Sequence, residues 1–133
     1  MLEKVINISV IILVIIFIYL VFINKFISIF QDIKSINELS IRFYSGRILM
    51  KILTEEYSNG ICNLTDEFFN LIKNESYLKE VTDSYKIEPV YTIIVENLET
   101  GDRTIVDFGN FNNFQFNRVC YYNGSLYLIK VIV

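Results

Sequence analysis

A chain of 133 residues with a formal charge of −3 has room for one small domain beside one membrane-length segment, and it offers no basic face able to displace counterions from a nucleic acid. The absence of histidine removes His-based triads, zincin motifs and imidazole acid–base chemistry, while two cysteines are too few to hold zinc by themselves. Hydrophobic residues make up 53% of the chain, and they are concentrated at its start.

Residues 1–4 form an N-terminal stub. Residues 5–23, VINISVIILVIIFIYLVFI, are then uncharged, with Asn7 and Ser9 as the only soft polar interruptions. At about 1.5 Å per residue this run reaches ~28 Å, close to the ~30 Å hydrocarbon core of a bilayer, so it predicts a transmembrane helix whose partner is lipid. A cleaved secretory signal would have a shorter apolar segment and small residues ahead of the cut. This chain contains no alanine, and its first glycine is Gly46.

Beyond residue 23 the pattern becomes periodic. Phe26, Ile29, Phe30, Ile33 and Ile36 recur at three- and four-residue steps, and Leu39, Phe43, Ile48, Leu49, Ile52 and Leu53 extend the stripe. An amphipathic stalk helix is expected over 24–57, roughly 50 Å long if unbroken, ending at the breakers Ser58, Asn59 and Gly60. Gly46 is its one weak point and a place for a kink. So long a helix is unstable as a bare rod, and its stripe needs the chain's own domain, other membrane or stalk helices, or further copies to cover it. Charge shifts here too: Lys25, Lys34, Arg42, Arg47 and Lys51 face only Asp32 and Glu38, whereas 55–107 is acidic.

Residues 58–133 are expected to form a small α+β head. A capping residue at Asn63 or Thr65 and acids at Asp66 and Glu67 predict a short helix ending near Lys73, with another turn or two over 76–81. Segments 90–97 and 103–108 flank turn chemistry at 99–102 and predict one hairpin, and 114–122 and 125–133 flank Asn123-Gly124 and predict a second. The expected fold class is therefore α+β: a long N-terminal transmembrane and stalk helix packed on an antiparallel sheet of about four strands, with one or two short helices between. In the last strand Tyr127, Ile129, Val131 and Val133 share an apolar face that should lie against the stalk helix. In the strand before it, Phe114, Phe116, Arg118, Cys120 and Tyr122 share a face, and an arginine there calls for a bulge or for a carboxylate such as Asp107.

Cys62 and Cys120 allow a single pairing; the sequence is equally consistent with a disulfide and with two buried thiols. Asn63, Asn74 and Asn123 each match the N-glycosylation pattern, although Asn63 and Asn123 already suit cap and turn positions and an asparagine-rich chain yields such matches by chance. The stretch 108–116 interleaves phenylalanines with amides, and it reads as a connector that plugs the core in preference to a partner-binding surface. Glu55-Glu56 and Asp66-Glu67 read as solvated helix ends, and Glu99, Asp102 and Asp107 as turn and edge charges. With no phosphate-binding glycine loop and no nucleophile–base pair, the chain reads as no enzyme, and no cofactor, metal or small-molecule substrate is implied.

Positive-inside counting sets Lys4 and the α-amine against Lys25, Lys34 and Arg42 and favours a cytoplasmic head. The cysteines, the glycosylation patterns and the acidic balance point outward, and an extracytoplasmic head on a single-pass anchor in the cell membrane is the expectation.

An apolar N-terminal helix that runs on as a stalk over 5–57, a short helix over 65–73 and the closing hairpin at 117–124 together resemble the architecture of type IV pilins and pseudopilins. The chain also looks like small archaeal membrane-anchored pilin-like proteins. The resemblance implies a structural or assembly component of a cell-envelope apparatus; the alternative is a membrane-tethered binding or accessory module that contacts a partner complex without polymerising. Two features depart from the family pattern: no Gly or Ala precedes the apolar run, and Glu3 lies ahead of the run instead of inside it.

Overall fold

The computed structural model describes residues 1–59 and 62–133, and the chain divides into two compact units, Met1–Glu38 and Leu39–Val133. Gly60, one of the expected helix breakers, lies outside the described residues.

The helix α1 (Leu2–Lys51) continues into a π-helical turn at Ile52–Glu56. In the first unit it carries outward-facing apolar side chains on every side, and the Ser9 hydroxyl donates to the Val5 carbonyl at 2.9 Å. That bond satisfies the hydroxyl within the helix itself, which is what a polar group needs where no water is at hand.

The second unit is an α+β fold that begins with the last turns of α1. Leu49, Met50, Ile52 and Leu53 are buried there, in one cluster with residues from the helices α2 (Asp66–Lys73) and α3 (Glu75–Ser84) and from the sheet. Thr65 caps α2: its side-chain oxygen accepts from the Phe68 amide at 3.4 Å and its hydroxyl donates to the Tyr57 carbonyl at 2.8 Å. Asn74 ends α2 and starts α3, its own N–H donating to the Asn70 carbonyl while its side chain accepts from the Tyr77 amide at 3.1 Å. Such caps are each worth about 1 kcal/mol, and they turn Phe68, Leu71, Ile72 and Leu78 into the core. Of the two capping residues open in the sequence, Thr65 takes the role and Asn63 lies in a strand. Helix α3 also runs longer than the one or two turns expected.

The sheet has six strands in the order β1-β2-β5-β6-β3-β4. Its long members are two hairpins, β3 (Thr92–Asn97) with β4 (Arg103–Asp107) and β5 (Gln115–Tyr122) with β6 (Ser125–Ile132). Asn123 and Gly124 have φ of 47° and 84°, as the mirror-image two-residue turn requires, and they set Tyr122 opposite Ser125. Strand β6 is central, pairing antiparallel with both β5 and β3. Two further strands, β1 (Ser58–Asn59) and β2 (Asn63–Leu64), enlarge the expected four-stranded sheet, and β2 pairs parallel to β5 through Asn63 and Tyr121. Strands of two residues leave no periodicity for a sequence reading to catch.

Ile129, Val131 and Val133 are buried in the same cluster as the end of α1. Gly46 explains how closely helix and sheet approach: a Cβ placed there would come within 2.5 Å of Phe116 Cε2 and 2.9 Å of Val133 Cγ2. The helix passes through Gly46 without interruption, so this glycine serves packing where a kink was expected.

Candidate functional site: an apolar helix and a basic cleft

Two surfaces stand out once the core is accounted for. One is the apolar helix: it is the single described helix long and apolar enough to cross a membrane, and none of its most apolar 18-residue window is buried. A core helix of a water-soluble protein would be buried over such a window. Further along, Phe26, Ile29, Phe30, Ile33 and Ile36 are exposed as well.

The second surface is a cleft of about 380 Å³ in the second unit, lined by Arg47, Met50, Lys51, Glu55, Phe116, Asn117 and Arg118. Helical spacing of four puts Arg47 and Lys51 on one face of α1. Strand β5 supplies Arg118, which shares a strand face with Phe116 and the buried Cys120 and is itself exposed. The expected bulge is missing, since β5 and β6 pair without interruption from Gln115 to Tyr122. Nor is Asp107 the partner: Arg118 Nη1 donates to Thr54 Oγ1 at 2.5 Å, and the Thr54 hydroxyl is 2.8 Å from the Met50 carbonyl. Arg118 is thus exposed as a residue while its guanidinium is anchored to the buried Thr54, so no carboxylate is needed to hold it. Asp107 Oδ1 instead accepts from Thr92 Oγ1 at 2.8 Å and from the Gly109 amide at 2.9 Å, and the Gly109 bond chiefly holds this carboxyl below its usual range.

The paired acids separate by role. Glu55 lies 4.0 Å from Lys51 at the cleft, while both oxygens of Glu56 accept from the Tyr85 hydroxyl, at 2.5 and 2.6 Å. That bond is the main cause of a raised Tyr85 pKa. Asp66 accepts from the Tyr122 hydroxyl. Glu99 accepts from Ser125, and Asp102 from Thr100. Among the described residues no group of three or more His, Cys, Asp or Glu side chains could hold a metal ion.

Cys62 and Cys120 form a disulfide, with Cα atoms 4.9 Å apart, and the Tyr121 amide donates to the Cys62 carbonyl at 3.0 Å beside it. The bridge fastens the segment that follows the π-helical turn to β5, next to the Asn63–Tyr121 pairing through which β2 joins the sheet. Asn63, Asn74 and Asn123 are all exposed, in β2, at the α2–α3 junction and in the β5–β6 turn. In the 108–116 stretch, Phe108, Phe114 and Phe116 pack against the core, and Phe43 meets Phe114 and Phe116 with ring centroids 5.4 Å away. Phe111 remains exposed, with the Arg42 guanidinium 3.6 Å over its ring and Arg42 Nη1 donating to Asn113 at 2.6 Å.

The sequence reading missed the cleft. Its signal was split between the basic balance of 25–51 and a strand arginine, and only the fold brings the two together. No protein-family model matches this chain, and neither the curated proteins nor the solved structures contain a match to it.

Proposed function

We propose that this protein is a single-pass, membrane-anchored structural or assembly component of a cell-envelope apparatus, pilin-like in plan, with its head outside the cytoplasm. The observation that carries the proposal is the helix of the first unit, whose Ile, Leu, Val and Phe side chains are exposed among the described residues over a bilayer's thickness and beyond it. At about 25 cal/mol per Å² of apolar surface, leaving such a helix in water is prohibitive. Lipid covers residues 5–23, and neighbouring helices, including those of other copies, cover the stripe at 26–36. The disulfide supports an extracytoplasmic head, because such bridges persist in oxidising compartments.

Three measurements test this. The intact chain should pellet with membranes after carbonate extraction; recovery in the supernatant would remove the anchor. A photo-crosslinking residue in place of Phe30 should capture a second copy or a partner helix, and a strictly monomeric protein with no crosslink would sink the assembly role. A membrane-impermeant thiol reagent, applied after mild reduction, should label Cys62 and Cys120 in intact cells, whereas labelling only after lysis would invert the topology.

A second reading, a tethered accessory module, draws on the second unit's having its own core and covalent bridge. A domain so built folds without a polymer around it. Crosslinks from Phe30 to a different protein alone, never to another copy, would favour this reading.

A further inference from the structure

We infer that the cleft between α1 and β5 is a binding site for a multivalent oxyanion, a ligand of the diphosphate or clustered-phosphate class. Three observations converge on it. First, Arg47 and Lys51 are like charges at helical spacing of four on one helix face, and of the two only Lys51 has, among the described residues, an acid beside it, Glu55 at 4.0 Å. Second, Arg118 occupies a strand face otherwise given to Phe116 and Cys120, and it is steered to the cleft by its bond to Thr54. Among the described residues neither Arg47 nor Arg118 has a carboxylate within 4.0 Å. Third, these groups surround a concave space of about 380 Å³ and do not lie on a flat surface. A site of that size accommodates more than one phosphoryl group.

The walls suit the same ligand. Two guanidiniums offer planar donor forks matched to phosphate oxygens, and Lys51 adds a point charge. Met50 and Phe116 form an apolar floor that lowers the local dielectric and strengthens each charged contact. Glu55 is the lining acid, already drawn toward Lys51, and Glu56 is withdrawn by Tyr85. Glu55 therefore acts as a competitor that an incoming anion displaces from Lys51. The inference is independent of whether the protein assembles with others.

Pyrophosphate is the probe. The full-length, disulfide-bonded protein in phosphatidylcholine nanodiscs is titrated calorimetrically at ~150 mM salt, where weak surface attraction is largely screened. Saturable one-to-one binding is expected. Arg118→Gln and Arg47→Gln should each weaken it about tenfold or more, the worth of one charge-assisted bond. Glu55→Gln should tighten it about two- to fivefold by freeing Lys51. That gain is one that a merely damaged fold would not produce. If Arg118→Gln loses its cooperative melt, Arg47→Gln, on an exposed helix face, carries the test alone. The proposal is overturned by no saturable binding up to roughly 10 mM, or by binding that survives both arginine substitutions unchanged. Repeating the titration in discs containing phosphatidylglycerol separates the sources of the phosphate. Undiminished binding assigns the cleft to a soluble oxyanion, and displacement assigns it to a lipid headgroup.

Discussion

Residues 1–38 and residues 39–133 are both rich in isoleucine and phenylalanine, yet they place them in opposite surroundings. Phe17, Phe22 and Phe30 are 67%, 71% and 63% exposed, whereas Phe68 is fully buried. What separates the regions is punctuation, not hydrophobicity. In the first there is no glycine, no proline and no effective cap, so a helix once started has no means of folding back on itself. In the second, Thr65, Asn74 and the Asn123-Gly124 turn cut the chain into short elements whose apolar faces can meet. The first region therefore leaves its apolar side chains exposed, and the second buries its own.

The largest test of that contrast is a charge in the middle of the apolar run. Ile15→Arg should cost about 3 kcal/mol of membrane insertion and move a substantial fraction of the protein into the carbonate supernatant. The melting of the head should not change. A lowered head melting temperature would mean that the two regions do not depend on separate solvents.

Next in size is the bridge. Replacing Cys62 and Cys120 together by serine should destabilise the head by about 2–5 kcal/mol, read as a lower urea midpoint, and leave carbonate extraction unaffected. A change below the error of the measurement would mean that β1 and β2 hold their place without it.

Smaller again is Gly46→Ala. On an exposed helix this exchange would stabilise by about 1 kcal/mol. Here the new methyl meets the Phe116 ring, itself packed at a tilt against Phe43, and the buried Val133, so overpacking of about 1–3 kcal/mol should win and the midpoint should fall. A raised midpoint would show that the ring swings aside freely and that the close approach of helix and sheet is incidental.

How much of this was legible in the sequence follows the same division. The apolar run, the capped α2 and both hairpins announced themselves, because each rests on local chemistry: period, cap or turn. The short strands did not, since they are two residues long and rest on the long-range pairing of Asn63 with Tyr121 beside the Cys62–Cys120 bridge. Gly46 looked like a flaw because its reason lies in Phe116 and Val133, some seventy and nearly ninety positions further along the chain. Arg118 was identified as a problem, but not solved. Its partner Thr54 comes from a π-helical turn that no hydrophobic period marks, and the cleft it completes draws on α1 and β5 together. Local signals gave the elements, and the long-range juxtapositions that make the candidate site were invisible.

The smallest expected effect concerns Asp107 and tests whether the edge charges of the head matter to it at all. This exposed carboxylate accepts from the Gly109 amide and the Thr92 hydroxyl, bonds made best by the ionised form, and its pKa lies below the ordinary value of 3.8. A carboxyl depressed in the folded state contributes stability above its unfolded pKa, and loses that contribution as pH falls through the lower folded value. Asp107→Asn should therefore lower the urea midpoint slightly at neutral pH. In acid well below 3.8 the two proteins should converge, because the native side chain is then neutral as well. Gly109 has a φ of 82°, so the turn already has the conformation its amide needs to reach Oδ1, and an asparagine oxygen in the same place keeps the geometry while losing the charge. A deficit that persisted unchanged into acid would assign the effect to the amide group's fit at the turn and not to ionisation.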